Sequence, residues 1–295
     1  MTTIKLAMGS IIIGFAVLGL KTFAYWMTGS VALLSDALES IVNVATAFAA
    51  LIAIRIAAIP ADDKHPFGHH KAEFFSAVLE GVLIIVAALL ILHEAYQGFM
   101  QPVALEAPVT GILVNLCATI INALWAWVLI SRGRKQKSPA LVADGRHLVS
   151  DVVTSAGVGA GIVLALVTGW WFLDPVLAVV VAINILWSGS KIVKESLSGL
   201  MDEAVSEQTL AGIRDIIAAQ SHGAMEAHDL RTRHAGVVTF IDFHLVVPGQ
   251  TTVFQAHEIC DRIETALIAY LEDANVTIHV EPEHMLNPTG AVVFD

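Results

Sequence analysis

Six long apolar runs fill the first two thirds of the chain, and no other feature restricts its fold as strongly. They cover roughly residues 4–27, 31–58, 73–98, 108–131, 139–168 and 174–198. Each is long enough for a helix to cross the hydrocarbon core of a bilayer, which takes about 20 mostly apolar residues. Lipid offers no hydrogen-bond partners, so such runs must satisfy their backbone groups internally, and a helix does this within one segment. The first run is longer than the apolar stretch of a cleavable leader and no small-residue cleavage site follows it, so it reads as a retained span. The connecting segments set an orientation. Residues 28–30, 99–107 and 169–173 contain no Lys or Arg. The loop after the second run holds Lys64 and Lys71, the loop after the fourth holds Arg132, Arg134, Lys135 and Lys137, and Lys191 and Lys194 close the sixth run. Positive loops stay cytoplasmic, so both termini are expected inside.

The composition changes near Gly199. Residues 1–199 hold 12 Lys+Arg against 12 Asp+Glu, whereas residues 200–295 hold 4 against 15 and so account for the whole net charge of −11. An acidic soluble part argues against nucleic acid as a partner. Cys117 and Cys260 fall in different parts, so there is no disulfide framework. In the soluble part the pattern predicts a helix over 206–220 with Ser206 as N-cap, then strands over 228–234 and 237–247 with a turn at Gly236. A helix over 252–271 and a β-branched strand over 276–280 follow. That αββαβ order predicts a small two-layer α+β domain, ferredoxin-like or metallochaperone-like. The expected organisation is an α-helical membrane domain of six transmembrane helices over 1–199, a cytoplasmic α+β domain over 200–286 and a tail over 287–295.

Two of the apolar runs carry ionisable groups, which are costly inside a bilayer and mark functional candidates. The second contains Asp36, Glu39 and Asn43; the fifth contains Asp144, His147 and Asp151. Both have polar residues at offsets of three and seven from the first acid, which at 3.6 residues per turn share one helix face. Acids packed together in low dielectric repel unless a cation or protons compensate. Metal ligands must be deprotonated, so binding a cation there releases protons. Glu80, Asn115, Asn122 and Asn184 read as packing or hydrogen-bonding residues, and Lys21 as one that snorkels to the interface.

Outside the spans, Asp62, Asp63, His65, His69 and His70 place five potential ligands in one short loop. The soluble part holds seven histidines, with His228 and His244 on neighbouring strands, His257 on the helix, and His279 on the last strand. His279 and Glu281 are two apart and share a strand face. Histidine with carboxylate suits zinc and similar first-row ions.

The segments Ser35-Asp-Ala-Leu-Glu-Ser40, Pro60-Ala-Asp-Asp-Lys-His-Pro-Phe-Gly-His69, Lys71-Ala-Glu73, His147-x-x-x-Asp151 and Ala227-His-Asp-Leu-Arg-Thr-Arg233 together resemble the cation diffusion facilitator family over nearly the whole chain. The resemblance implies a homodimeric, proton-coupled antiporter of a bacterial plasma membrane, not an enzyme. Its substrate would be a divalent transition metal (Zn²⁺, Fe²⁺ or Mn²⁺, with Co²⁺ and Cd²⁺ in the same class), moved outward by alternating access. It puts the transport site on Glu39, Asn43, His147 and Asp151, with Asp36 and Asp144 as further polar residues beside it. A loop site falls on Asp62, His65 and His69, and a cytoplasmic binuclear, regulatory metal site on His228, His244, His257, His279 and Glu281. Lys71 and Asp202 correspond to the pair that ties the loop to the dimer interface. Zinc-moving relatives usually carry Asp or His where this chain has Glu39 and Asn43. This oxygen-rich set also suits iron or manganese, and Asp36 is an alternative to Asn43 in it. A rival reading, a non-transporting metal sensor or partner subunit, would need only the soluble site. An intramembrane metalloenzyme would need a His-Glu-x-x-His helix or a Gly-x-Ser-x-Gly elbow, and neither is present.

Overall fold

The computed structural model describes residues 2–28, 31–100, 109–168, 170, 173–271, 273–287 and 292–293, though not every side chain within them. The chain divides into two compact units, Met1–Leu197 and Ser198–Asp295.

The first unit is helical: α1 (Thr3–Thr28), α2 (Val31–Ala57), α3 (Ala72–Met100), α4 (Val109–Lys135), α5 (Pro139–Thr168) and α6 (Leu173–Leu200). Five described segments are long and apolar enough to cross a membrane: Thr3–Phe23, Ser40–Ala57, Ala72–Met100, Leu116–Lys135 and Pro175–Leu200. The helix outside that set is α5, whose first half carries Asp144, Arg146, His147 and Asp151. Large apolar side chains such as Ile12, Leu90, Leu124, Trp127 and Trp187 point outward, which water would penalise and lipid accepts.

Two cores hold the helices. Leu6, Ala50, Ile54, Leu129, Leu141 and Leu148 join α1, α2, α4 and α5. Ala77, Ile84, Ala88, Ala143, Ile185 and Ile192 join α3, α5 and α6. The helix α5 therefore contributes to both, with Leu141 and Leu148 on one side and Ala143 on the other. Helices α3 and α6 approach closely through small residues, as membrane helices do. A Cβ on Gly189 would stand 2.9 Å from Ile84 Cγ2 and 3.1 Å from the Gly81 carbonyl oxygen. Lys21, expected to snorkel, is only 3% exposed. Glu80 is fully buried on α3, with the Ser76 hydroxyl donating to it at 3.5 Å.

The second unit comprises α7 (Glu207–Gln220), β1 (Glu226–Ala235), β2 (Val238–Val247), α8 (Val253–Leu271), β3 (Ala274–Pro282), a short 3₁₀ turn (Glu283–Met285) and β4 (Val292–Val293). Ser206 caps α7, its hydroxyl accepting from the Thr209 N–H at 3.3 Å, which satisfies one of the orphan donors of the first turn. Gly236 supplies the positive φ of 57° between β1 and β2. The sheet order is β3-β2-β1-β4, with β1 antiparallel to β2 and β4, and β2 parallel to β3. Within the stretch read as a tail, Val292–Val293 adds a short strand beside Glu226 and Ala227.

Alternation along the strands separates the two faces of the sheet. Ala227, Ile241, Phe243, Leu245 and Val247 pack against Ile213 and Ile217 of α7 and Ile259, Ile263 and Leu267 of α8. Fully burying each of the larger side chains contributes about 1.5–3 kcal/mol. The intervening residues, His228, His244 and Glu281 among them, belong to the other face.

Candidate metal sites

Within the helical unit, Asn43 on α2 meets His147 and Asp151 on α5. His147 and Asp151 stand four residues apart, one turn on the same face. The Asn43 amide nitrogen donates to Asp151 Oδ2. His147 Nε2 lies 2.8 Å from Asn43 Oδ1 and 3.9 Å from Asp151 Oδ1. All three are nearly closed to water, at 7%, 5% and 7% exposed for Asn43, His147 and Asp151. A carboxylate, an amide oxygen and an imidazole converging in a water-poor place is a donor set for a first-row divalent cation. Asp144 takes a different role. It accepts from Ser10 at 2.6 Å, and Ser10 in turn accepts from the Trp125 indole at 2.9 Å. With Ser40, Asn43 and Asn122 it lines a small cavity among α1, α2, α4 and α5. The side chains of Asp36 and Glu39 lie outside the described residues.

The loop between α2 and α3 gathers Asp62, His65 and His69, one ligand atom from each lying within 4.8 Å of the others. Asp62 builds the turn, its Oδ1 accepting from the backbone N–H of Lys64 at 2.9 Å and of His65 at 2.7 Å. Its carboxyl is held below the usual aspartate range, first by that His65 backbone bond. His65 Nδ1 lies 3.1 Å from Asp62 Oδ1 and His69 Nε2 lies 3.6 Å from Oδ2, with the two rings 4.3 Å apart. Gly68, at φ 80°, turns the chain between the histidines, and a Cβ there would strike the His70 ring at 2.9 Å. Lys71 closes the loop just before α3.

In the sheet, register does the assembling. Antiparallel pairing sets His228 opposite His244, and parallel pairing sets His244 opposite His279, giving one row of three histidines across β1, β2 and β3. The next row is Glu226, Val246 and Glu281. Glu281 is therefore central: its carboxylate lies 3.3 Å from His228 Nε2, 3.1 Å from His244 Nδ1 and 3.6 Å from His279 Nε2. His257 is not brought into this row among the described residues. It is exposed on α8, 3.6 Å from Asp261. Asp202 is held by Arg233 at 3.0 Å, whose guanidinium lies over the Phe240 ring.

The donor set fits a metal ion. His228 Nδ1 and Glu281 Oε2 are buried without a hydrogen bond, although neighbouring oxygen and nitrogen atoms stand 2.9 Å and 3.3 Å away. A buried acceptor such as Glu281 Oε2 that meets imidazole nitrogens without sharing a proton is costly unless a cation fills the gap.

Two residues near this row are absent from the expectations drawn from sequence. Asp229 comes within 4.8 Å of the His228 and His244 ligand atoms because β1 bulges between His228 and Arg231 and Asp229 adopts φ 51°. Glu226, at 2% exposed, places Oε1 2.9 Å from His228 Nδ1. Neither has a spacing signal in the sequence, since one depends on a bulge and the other on a strand that begins earlier than the pattern shows.

Comparison with known proteins adds a lineage to this geometry. Residues 7–201 match the cation efflux transmembrane domain, and residues 205–283 match the cytoplasmic domain of cation efflux proteins. An uncharacterized transporter of Synechocystis sp. is 45% identical over 267 residues, 90% of this chain and 86% of its own. The cation-efflux pump FieF of Cronobacter sakazakii is 32% identical over 285 residues, covering 94% and 92%. Among solved structures, a zinc-form chain of CzrB is 42% identical, covering 29% of this chain and 98% of its own at a TM-score of 0.28. With the helical part followed by the cytoplasmic part in the family's order, this chain is a member of the cation diffusion facilitator family, an integral membrane protein with a small cytoplasmic α+β domain.

Proposed function

We propose that this protein is a homodimeric, proton-coupled exporter of divalent transition-metal cations, with Zn²⁺ and Fe²⁺ as principal substrates and Mn²⁺ in the same range. The observation that carries this reading is the buried meeting of Asn43, His147 and Asp151 between α2 and α5. Glu39, one turn before Asn43 on α2, is the fourth ligand in this reading. The cation is the cargo, so the site has to bind it and release it, and alternating access of the helices to the two sides supplies the release. Protons return through the same groups, because ligands freed of metal regain them.

All six helices cross the membrane in this account, including α5, and both termini are cytoplasmic. The alternation of Lys/Arg-bearing and Lys/Arg-free loops supports that orientation. The loop residues Asp62, His65 and His69 capture a cation at the cytoplasmic entrance. The row of His228, His244, His279 and Glu281, with His257 as its family partner, holds a regulatory ion. Its occupancy biases the dimer toward the transport-competent form, which requires that binding there change affinity or rate at the membrane site.

Purified protein in liposomes with an imposed pH gradient tests the reading. Zn²⁺, Fe²⁺ and Mn²⁺ are offered in parallel. Metal movement driven by the proton gradient is the expected result; no flux of any of the three would sink the proposal.

A further inference from the structure

We infer that Glu226 is a positioning residue for the sheet site: it accepts a hydrogen bond from the Nδ1–H of His228, leaves Nε2 as the metal-ligating atom, and through Asn287 ties the site to the C-terminal segment. The inference rests on the metal reading of the histidine row and concerns a residue outside the family's ligand set.

Three observations carry it. The first is placement. Glu226 and His228 are two apart on β1 and share the face that also carries His244 and Glu281. The backbone of Glu226 is paired on both sides, to Val246 of β2 and to Val293 of β4, so its side chain starts from a fixed point. The second is the division of the imidazole. Glu226 Oε1 approaches Nδ1 at 2.9 Å, while Glu281 Oε2 approaches Nε2 at 3.3 Å. His244 stands beside the ring at 5.2 Å between centroids. Nε2 therefore faces the other ligands and Nδ1 faces a lone carboxylate. A neutral histidine carries one N–H, and the hydrogen bond at one nitrogen decides which atom is free to bind metal. A carboxylate behind a ligating histidine fixes both tautomer and ring orientation.

The third is the far side of Glu226. Its Oε1 also accepts the Asn287 backbone N–H at 2.9 Å. Just before it, the Glu283–Met285 turn packs on β2, and Val292–Val293 then joins β1. Asn287 and Val292–Val293 thus both adjoin Glu226, which is 2% exposed. Among the described residues no Lys or Arg pairs with Glu226 or with Glu281, which is 6% exposed. Two buried carboxylates flanking one imidazole without a basic partner are balanced by a cation at Nε2 and a shared proton at Nδ1. Metal held at Nε2 would leave the proton on Nδ1, 2.9 Å from Glu226 Oε1, which the ring meets here without hydrogen-bond alignment. Aligning that pair would also fix the carboxylate that accepts the Asn287 N–H.

The test uses the full chain in detergent micelles. Zn²⁺ stoichiometry and affinity are read by competition with a chromophoric chelator for wild type, Glu226→Gln, Glu226→Ala and His228→Ala. His228→Ala is expected to lose the Zn²⁺ of the sheet site and to keep the ions held by the loop and the membrane helices. Both Glu226 variants keep the stoichiometry and lose affinity by about 10–100-fold, the usual scale for removing the partner of a ligating histidine. Glu226→Gln keeps the side-chain shape, so the metal-free unfolding temperature stays near wild type and separates positioning from folding. Zn²⁺ also slows amide exchange at Asn287 in wild type and not in Glu226→Ala. Zn²⁺ affinities unchanged in both Glu226 variants, with His228→Ala defective, would overturn this inference alone. Full Zn²⁺ binding by His228→Ala would overturn the metal reading of the row and the inference with it.

Discussion

Glu281→Gln should weaken Zn²⁺ binding at the histidine row by about a thousandfold. The substitution keeps the shape of the side chain and removes one negative charge. That charge lies between 3.1 Å and 3.6 Å from nitrogens of three histidines and is 6% exposed, so water does little to screen it. A unit charge pair about 4 Å apart at an effective dielectric near 20 is worth about 4 kcal/mol. A divalent ion doubles the attraction, but stripping water from the ion costs several kcal/mol in return, so about 4 kcal/mol is the expected net scale. At about 1.4 kcal/mol per factor of ten this is roughly three decades in Kd. The assay is chelator competition on the purified full-length chain at neutral pH, with unfolding of the metal-free protein as a control. His257→Ala, removing the exposed helix histidine, is the comparison and should cost far less. Zn²⁺ binding by Glu281→Gln within about tenfold of wild type, a loss of only about 1.4 kcal/mol, would refute the electrostatic argument.

Other expectations follow from the same geometry. Asn43→Asp replaces the amide that bridges His147 and Asp151 by a charged ligand, so the ratio of Zn²⁺ to Fe²⁺ flux in liposomes should rise; an unchanged ratio removes position 43 from selectivity. Gly189→Val drives a side chain into Ile84 and the Gly81 carbonyl and should destabilise the helical unit by about 1–3 kcal/mol, seen as a lower unfolding temperature in detergent; an unchanged midpoint contradicts the close packing. Asp62 should titrate, by carboxyl ¹³C NMR, below the ordinary aspartate value of about 3.9, because the His65 N–H favours its charged form. A folded value below the unfolded one means that its support of the loop is fully present above the unfolded value and fades as pH falls through the folded one. A midpoint at or above the ordinary value would remove that turn from the account.

Local features of the soluble domain were readable from sequence because their causes are local. Ser206 with Thr209 marks the start of α7, and Gly236 marks the turn between β1 and β2. The β-branched run 276–280 revealed only the middle of β3. Its pairing with β2 extends the strand to Ala274–Pro282, and that pairing is non-local. The same register aligns His228, His244 and His279, so the row could be suspected from residue types but not drawn. Glu226 was invisible for a related reason: in an acidic domain one more Glu carries no signal until β4 and Asn287 close over it. In the membrane part, helical spacing singled out Asp36, Glu39, Asn43, Asp144, His147 and Asp151 together and could not show which of them meet. Seven residues along a helix is about 10 Å of rise. That displacement takes Asp144 from the level of Asp151 to that of Ser10 on α1.

If cations cross between α2 and α5, Zn²⁺ flux into liposomes under a pH gradient must depend on His147 and Asp151. Wild type is compared with His147→Ala and Asp151→Ala, each checked for folding and for an intact histidine row by Zn²⁺ binding. Both variants should still bind Zn²⁺ at the soluble domain and carry almost none across the membrane. Wild-type flux through either correctly folded variant would contradict that route.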